Sequence, residues 1–382
     1  MSRRRCATLG GAEALRDGPV TTSRGEPPLR RSEALLEALR MVAPGTPLRD
    51  GIDRILQANK GALIVVGDGP EVLSVCSGGF LLDAEFTPQR LSELAKMDGA
   101  LILAADVARV ARGNVHLVPD PNIPTAETGT RHRTAERVAR QIDVPVISVS
   151  EAMSVVTIYR DDQKYTLEPI PRVLAKANQA LQTLERYKDR LDAVSGSLSA
   201  LEVEDLVTVR DAVTVLQRAE MVRRISDEIE EYIIELGSEG RLVLLQLEEL
   251  MGGVEDDRRL VAKDYFVATP DWELDEVMKR LAQLTTDELL DLKEVAAVLH
   301  LPQGTGLDWS LQPHGYRLLH KIPRLPEIVA DRVVARFHNL QKIMRASMKD
   351  LDDVEGVGET RARAIKEGLS RLAETSILDR YV

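Results

Sequence analysis

Apolar positions first take helical spacing at Leu35, Leu36, Leu39 and Val42. Pro44-Gly45 ends that helix, and Thr46-Pro47 supplies an N-cap and a first-turn proline for a second, from Leu48 to Leu56. The period then shortens. β-rich runs follow at 62–66, 72–76, 100–104, 115–118, 145–149, 154–160 and 163–168. Helical stretches separate some of them, at 88–97 behind a Thr87 cap and at 130–141. Strands interleaved with helices, then a meander-like pair around Asp161-Asp162, predict a mixed α/β sheet.

The pattern changes at Pro169-Ile170-Pro171 and is helical to about residue 300. Leu174, Ala177, Leu181 and Leu184 form one stripe. Val213, Leu216, Met221, Ile225, Ile229 and Ile233 form another, ending at Gly237. A shorter helix is predicted from Asp287 to Leu299, capped by Thr286. The Gly- and Pro-containing stretch from Pro302 to Pro313 is a second break, after which the chain is helical again. The predicted organisation is a disordered tail over 1–30, an α/β head over 31–169, an all-α spine over 170–313 and a helical tail domain over 314–382.

Charge divides the same way. There are 21 basic and 22 acidic residues in 1–169, 16 and 29 in 170–313, and 13 and 10 in 314–382. The net charge of −11 excludes a uniformly basic coat for nucleic acid, and the acidic spine should repel it, but the tail can meet it. Four Phe, two Trp and seven Tyr are too few for a base-stacking platform. Two cysteines exclude a disulfide scaffold or thiolate cluster and fit a reducing cytosol. No histidine spacing suits a metal site, no apolar run approaches a membrane span, and Arg3-Arg4-Arg5 has no apolar signal-peptide segment behind it.

In the tail, Val354-Glu355-Gly356-Val357-Gly358 leads into Arg361, Ala362, Arg363, Ile365 and Lys366. Two glycines around an apolar plug allow a tight loop, whose N–H groups and following helix start can hold a phosphate. This resembles the helix-hairpin-helix DNA-binding motif; the plainer alternative is a Gly-rich helix–helix turn, and Glu355 and Glu359 would repel phosphate. Residues 322–333 echo 354–365 at an offset of 32, with Ile322, Leu325, Ala330 and Val333 matching Val354, Val357, Ala362 and Ile365. Both loop glycines are replaced there, by Arg324 and Pro326, so this is read as a degenerate first hairpin or a chance likeness of two amphipathic helices.

In the head, Asp98-Gly99-Ala100 opens a strand, and Asp98 is a candidate metal ligand. Thr128-Gly129-Thr130-Arg131-His132-Arg133-Thr134 opens a helix with cations at the end where the dipole disfavours them, which makes sense if phosphates sit there. The plainer alternatives are a common Asp-Gly turn and a solvated cationic helix start. The two runs together resemble the paired signature of diadenylate cyclase domains. The order of head, spine and helix-hairpin-helix tail, over about 32–382, is similar to that of the DNA integrity scanning family. The resemblance implies a nucleotidyltransferase-like head that condenses two ATP into cyclic di-AMP and two pyrophosphates. It implies that Asp98 binds Mg²⁺ or Mn²⁺ and helps activate the 3′-hydroxyl, and that Gly99 and Leu117 line the nucleotide site. Thr130, Arg131, His132, Arg133 and Thr134, with Ser150, would touch phosphate. It also implies a homo-octamer in the cytoplasm at the nucleoid, with no membrane partner. Gly356, Val357, Gly358, Arg361, Arg363 and Lys366 would contact branched DNA or recombination intermediates. The alternative is a DNA-structure-binding scaffold whose head only senses ATP.

Overall fold

The computed structural model describes residues 31–268, 273–302, 304 and 306–380, with the side chains of 376–380 left aside. The segment 1–30, expected to be disordered, lies outside the described residues. Two helices open the chain, α1 (Glu33–Met41) and α2 (Pro47–Gln57), the latter capped by Thr46 with Pro47 in its first turn. There follow β1 (Ala62–Val66), α3 (Pro70–Ser74), β2 (Cys76–Ser77), β3 (Phe80–Glu85), α4 (Pro88–Leu94), β4 (Ala100–Leu103) and β5 (Arg109–Leu117). Then come α5 (Thr130–Gln141), β6 (Val146–Val149), β7 (Val156–Arg160) and β8 (Gln163–Thr166).

The strands form one sheet in the order β2-β5-β4-β1-β6-β7-β8, with β3 also paired to β5. β1 and β4 are parallel and every other pairing is antiparallel, so the sheet is mixed as expected. Side chains alternate between two cores. Ile64, Leu101, Leu103 and Ile147 face α1, α2 and α4, while Leu63, Val65, Ile102 and Val146 face α3 and α5. The head is therefore a three-layer α/β/α sandwich. Residues 72–74 are helical and not strand, because Pro70 opens a short helix there. β3 and the first half of β5 were not predicted; Phe80 and Leu81 are exposed on β3, so its burial does not alternate cleanly.

The spine is built on a helical hairpin, α6 (Ile170–Glu204) and α7 (Val209–Leu236), whose buried faces carry both predicted stripes. Gly237, with φ 51°, ends α7. α8 (Arg241–Met251), α9 (Val254–Tyr265) and α10 (Leu274–Gln283) pack around it. The predicted helix 287–299 is two, α11 (Thr286–Leu290) and α12 (Leu292–Val298). Thr285, not Thr286, caps the first, and Asp291 leaves helical geometry to cap the second.

The tail comprises α13 (Tyr316–His320), α14 (Glu327–Phe337), α15 (Leu340–Arg345), α16 (Met348–Asp352) and α17 (Gly358–Arg380). Turns 321–326 and 353–357 make two hairpins around one core. Ile322, Ala330 and Val333 are buried with Val354, Val357, Ala362 and Ile365. Arg324 is left-handed at φ 63°, as is its offset match Gly356 at φ 87°. A shared unusual backbone state at matched positions marks a structural repeat. No helix among the described residues is long and apolar enough to cross a membrane.

Buried charges tie the tail to the spine. Arg317 is fully buried; it donates to Glu202 Oε2 at 2.7 Å and to Ser195 Oγ at 2.8 Å, both on α6. Asp264 of α9 accepts the N–H groups of Gly315, Tyr316 and Arg317 at the start of α13, at 2.7–2.8 Å. Burial, with Glu202 nearby, pushes the Asp264 carboxyl up to about 7 while those three N–H groups pull it down. Removing one member of a buried pair costs about 3–5 kcal/mol, because the other is left unpaired. Arg317→Met should therefore loosen the joint by about that amount, seen as early hydrogen exchange in α13. Adding Glu202→Gln should restore most of the protection.

Candidate functional site

The course of the sheet brings distant segments to one edge. β1 enters at Ala62, and its parallel neighbour β4 enters beside it, with Ala100 paired to Leu63. The antiparallel neighbours leave there: Val149 of β6 pairs with Ala62, and Val115 of β5 pairs with Ala100. α5 runs back from this edge to feed β6, so its N-terminus lies here too. The Asp98-Gly99 turn, Leu117, the start of α5 and Ser150 are thus assembled along a single sheet edge.

Each side chain sits differently. Gly99 has φ +90°, and a Cβ would stand 2.9–3.0 Å from the backbone of Asn114 and Val115, so glycine is what lets the turn rest against β5. Asp98 beside it is exposed. Among the described residues no cluster of three metal-binding side chains exists. A lone carboxylate fits Mg²⁺ or Mn²⁺ only as such ions sit with nucleotides, on one or two carboxylates plus substrate phosphates. Leu117 is buried and packs under α5 in the sheet core, so any lining role falls to its backbone and edge.

α5 begins at Gly129, which offers no side-chain cap, and no acidic residue lies in its first turn. Its first N–H groups therefore remain open to an anion. Thr130, Arg131 and Arg133 are exposed around it. Arg131 lies over Gly61 and donates to Val149 O at 3.4 Å; a Cβ on Gly61 would stand 2.1 Å from Nη1. Nothing in the sequence marks Gly61, since the contact spans 70 residues and appears only once β1 and α5 meet. His132 is half-buried with Nδ1 2.8 Å from the Tyr159 hydroxyl. Thr134 donates its hydroxyl back to Thr130 O at 3.0 Å, one turn toward the open end, so its proton is spent within the helix. Ser150 accepts from Met153 N–H at 3.4 Å in the turn after β6.

The second predicted site is less free than its sequence suggests. Val357 plugs the core, and Gly356 and Gly358 take φ of +87° and +61°. Arg361 folds onto Gly356 O at 2.5 Å, and Arg363 pairs with Glu359 on the exposed face. Lys366 is spent: its ammonium donates to Met344 O at 2.7 Å and Ala346 O at 2.8 Å, capping α15. Arg332 of the first hairpin reaches across to Glu355 O at 3.2 Å, adding a cation beside the loop. A concavity of about 570 Å³ between α16 and α17 is lined by Lys349, Arg363 and Lys366 but equally by Asp352, Glu359 and Glu367. Its lining residues carry no net charge.

A family model described as the DisA bacterial checkpoint controller nucleotide-binding region matches residues 49–164, and the corresponding linker region matches 167–307. The DNA integrity scanning protein DisA of Parafrankia sp. (strain EAN1pec) is 57% identical over 346 residues, 90% of this chain and 96% of that protein. The DisA protein of Acidothermus cellulolyticus is 54% identical over 372 residues, 97% of this chain and all of its own length. A solved structure of DacA from Staphylococcus aureus, a double mutant, is 20% identical with TM-score 0.25, over 35% of this chain and 83% of its own.

Gly61 and Gly99 separate affinity from stability. Gly61→Ala displaces the end of a flexible Arg131 and brings a methyl within 3.1 Å of Val149 O, and should cost about 1 kcal/mol of stability. It should weaken triphosphate binding by about 1.5–3 kcal/mol, the worth of a charge-assisted hydrogen bond. Gly99→Ala meets backbone at positive φ and should cost at least about 1–3 kcal/mol of folding stability. Calorimetric titration with inorganic triphosphate and thermal denaturation of both variants distinguish the two.

Proposed function

The chain belongs to the DisA family of DNA integrity scanning proteins and is a diadenylate cyclase, and on that premise we propose that it condenses two ATP into cyclic di-AMP and two pyrophosphates under the influence of DNA bound at its tail. The observation that carries the proposal is the convergence, on one sheet edge, of the Asp98 carboxylate with the uncapped start of α5 and its Arg131 and Arg133. Attack of a 3′-hydroxyl on an α-phosphate needs alignment and charge neutralisation more than covalent catalysis. The α5 N–H groups, Arg131 and Arg133 hold the phosphate chain as bidentate and helix-end donors. Asp98 would hold Mg²⁺ or Mn²⁺, which supplies further charge neutralisation at the phosphates and makes the hydroxyl easier to deprotonate. Gly99 fixes the direction of Asp98, and Gly61 leaves Arg131 room to reach.

The product is twofold symmetric and one head carries one such edge. Two heads must therefore face each other with their nucleotides in line, and self-association is a catalytic requirement. An octamer satisfies it with heads inside and tails outside. The ATP-sensing alternative is disfavoured because a sensor has no use for an exposed carboxylate beside the phosphate site.

The tail is proposed as a tandem helix-hairpin-helix module. Its second loop offers the N–H groups of Gly356 and Gly358 to a DNA phosphate, with Arg363 and Arg332 beside them, while Lys366 and Arg361 brace the hairpin. Such contacts hold backbone without reading bases, so shapes that engage several tails, such as branched DNA, are favoured.

Asp98→Asn should abolish cyclic di-AMP synthesis while ATP affinity falls less than about tenfold, since phosphate contacts dominate ground-state binding; chromatography of nucleotides alongside equilibrium binding checks this. For DNA, deletion of 314–382 would strip Glu202 and Asp264 of their partners, so charge reversal is the cleaner test. Arg332→Glu with Arg363→Glu should weaken gel shifts of branched DNA at least about tenfold and flatten the salt dependence by about 0.9 in log–log slope for each DNA phosphate that is no longer neutralised. Basal synthesis should persist.

A further inference from the structure

Behind the start of α5 lies a chain of polar groups with no part in phosphate binding. Tyr159 of β7 is buried in the sheet core, with its hydroxyl 2.8 Å from His132 Nδ1. That hydroxyl donates to Glu127 Oε1 at 3.1 Å, and Lys164 of β8 donates to the same oxygen at 2.9 Å. Lys164 holds the Glu127 carboxyl below the usual carboxylate range, so Glu127 is an ionised acceptor. The loop bearing it is fixed: Glu127 N–H donates to Thr125 Oγ1 at 3.1 Å, Thr125 donates to the buried Glu136 of α5, and Arg137 Nε donates to Ile123 O at 2.9 Å.

A phenol has one proton to give. Tyr159 gives it to Glu127, so towards His132 its oxygen can only accept. Nδ1 must then carry a proton, because two acceptors would otherwise face each other. A ring with that single proton presents a lone pair at Nε2. We propose that Glu127 and Tyr159 are positioning residues that hold His132 in its Nδ1–H form, so that Nε2 meets the bound nucleotide as an acceptor for a hydroxyl-type donor. The proposal rests on the cyclase function given above.

The consequence divides the Thr130–Thr134 run by chemistry. Arg131 and Arg133 are donors and suit phosphate oxygens, which only accept. An accepting Nε2 does not suit them. Its partner is a donor: a ribose hydroxyl or a water on the divalent ion. Tyr159 is already satisfied by Glu127, so the His132 contact is not needed to bury the phenol. Its use is to orient the ring.

Tyr159→Phe and Glu127→Leu should each lower kcat for cyclic di-AMP at least about tenfold, with KM for ATP within about threefold. Glu127→Gln should be close to wild type, because Lys164, purely a donor, turns the amide oxygen to the place of Oε1. Wild-type kcat in Tyr159→Phe and Glu127→Leu, or a Glu127→Gln as impaired as Glu127→Leu, would overturn the proposal. The donor is found by calorimetry with ADP, 2′-deoxy-ADP and 3′-deoxy-ADP. If a ribose hydroxyl is the donor, His132→Ala weakens ADP but not the analogue lacking that hydroxyl. If the donor is water on the ion, the effect disappears when the divalent ion is omitted. An equal loss for all three nucleotides with and without the ion would mean that His132 donates to phosphate, and the acceptor role would be wrong. A wild-type protein that makes no cyclic di-AMP overturns the enzymatic proposal instead, and the titrations still decide the role of His132.

Discussion

A strand that is apolar on both faces cannot lie at a surface, and Ala62–Val66 is such a strand. All five of its side chains are buried, three towards α1, α2 and α4 and two towards α3 and α5. It must be central and covered on both sides. Its direction then decides where function can sit. With β4 parallel to it and β5 and β6 antiparallel, two strand starts and two strand ends fall on one edge. α5 has to begin there in order to return the chain to β6. The carboxylate at 98 and the cations at 131 and 133 are neighbours because of that one buried strand.

The hairpin of α6 and α7 carries a joint at each end. At the head end, Arg31 stacks 4.1 Å over the Tyr165 ring and pairs with Glu231 and Glu235 of α7, and Tyr165 donates to Glu235 at 2.7 Å. At the tail end stand Glu202, Asp264 and Arg317. α7, which links the two ends, has 28 residues and is roughly 40 Å long. Buried ion pairs add little net stability, but breaking one is expensive, so they hold a fixed geometry better than apolar contacts that can slide. β8 bears Tyr165 at the head joint and, next to it, Lys164 behind His132. The nucleotide edge and the spine therefore share a strand.

The tail shows how a repeat diverges while its backbone is kept. Arg324 takes the left-handed conformation that glycine takes at 356, although a side chain makes it costly. The first hairpin packs against the second and lends it Arg332. The second retains glycine at 356 and 358, both at positive φ.

Much of this was legible in the sequence because it depends on neighbours along the chain. The helix over 130–141, the Thr46-Pro47 start, the break at Pro169 and the stop at Gly237 all follow from periodicity and capping, and the structure shows each of them. Arg131 and Arg133 stood out because a cationic helix start is unusual for its local physics, and Asp98 because it stands before a glycine where a strand opens. What the sequence could not disclose depends on contacts between remote segments. β3 is an edge strand whose exposed Phe80 and Leu81 break the alternation. Lys366 looks like a phosphate ligand until α15 presents its carbonyls, Gly61 is ordinary until Arg131 crosses it, and Tyr159 is one more core aromatic until His132 and Glu127 meet at its hydroxyl. Local pattern determines which elements form and where charge is placed. Only the packing of those elements decides which donors and acceptors are already spent and which remain for a ligand, because a hydrogen bond is settled by the group that arrives, and the chain order does not say which group that is.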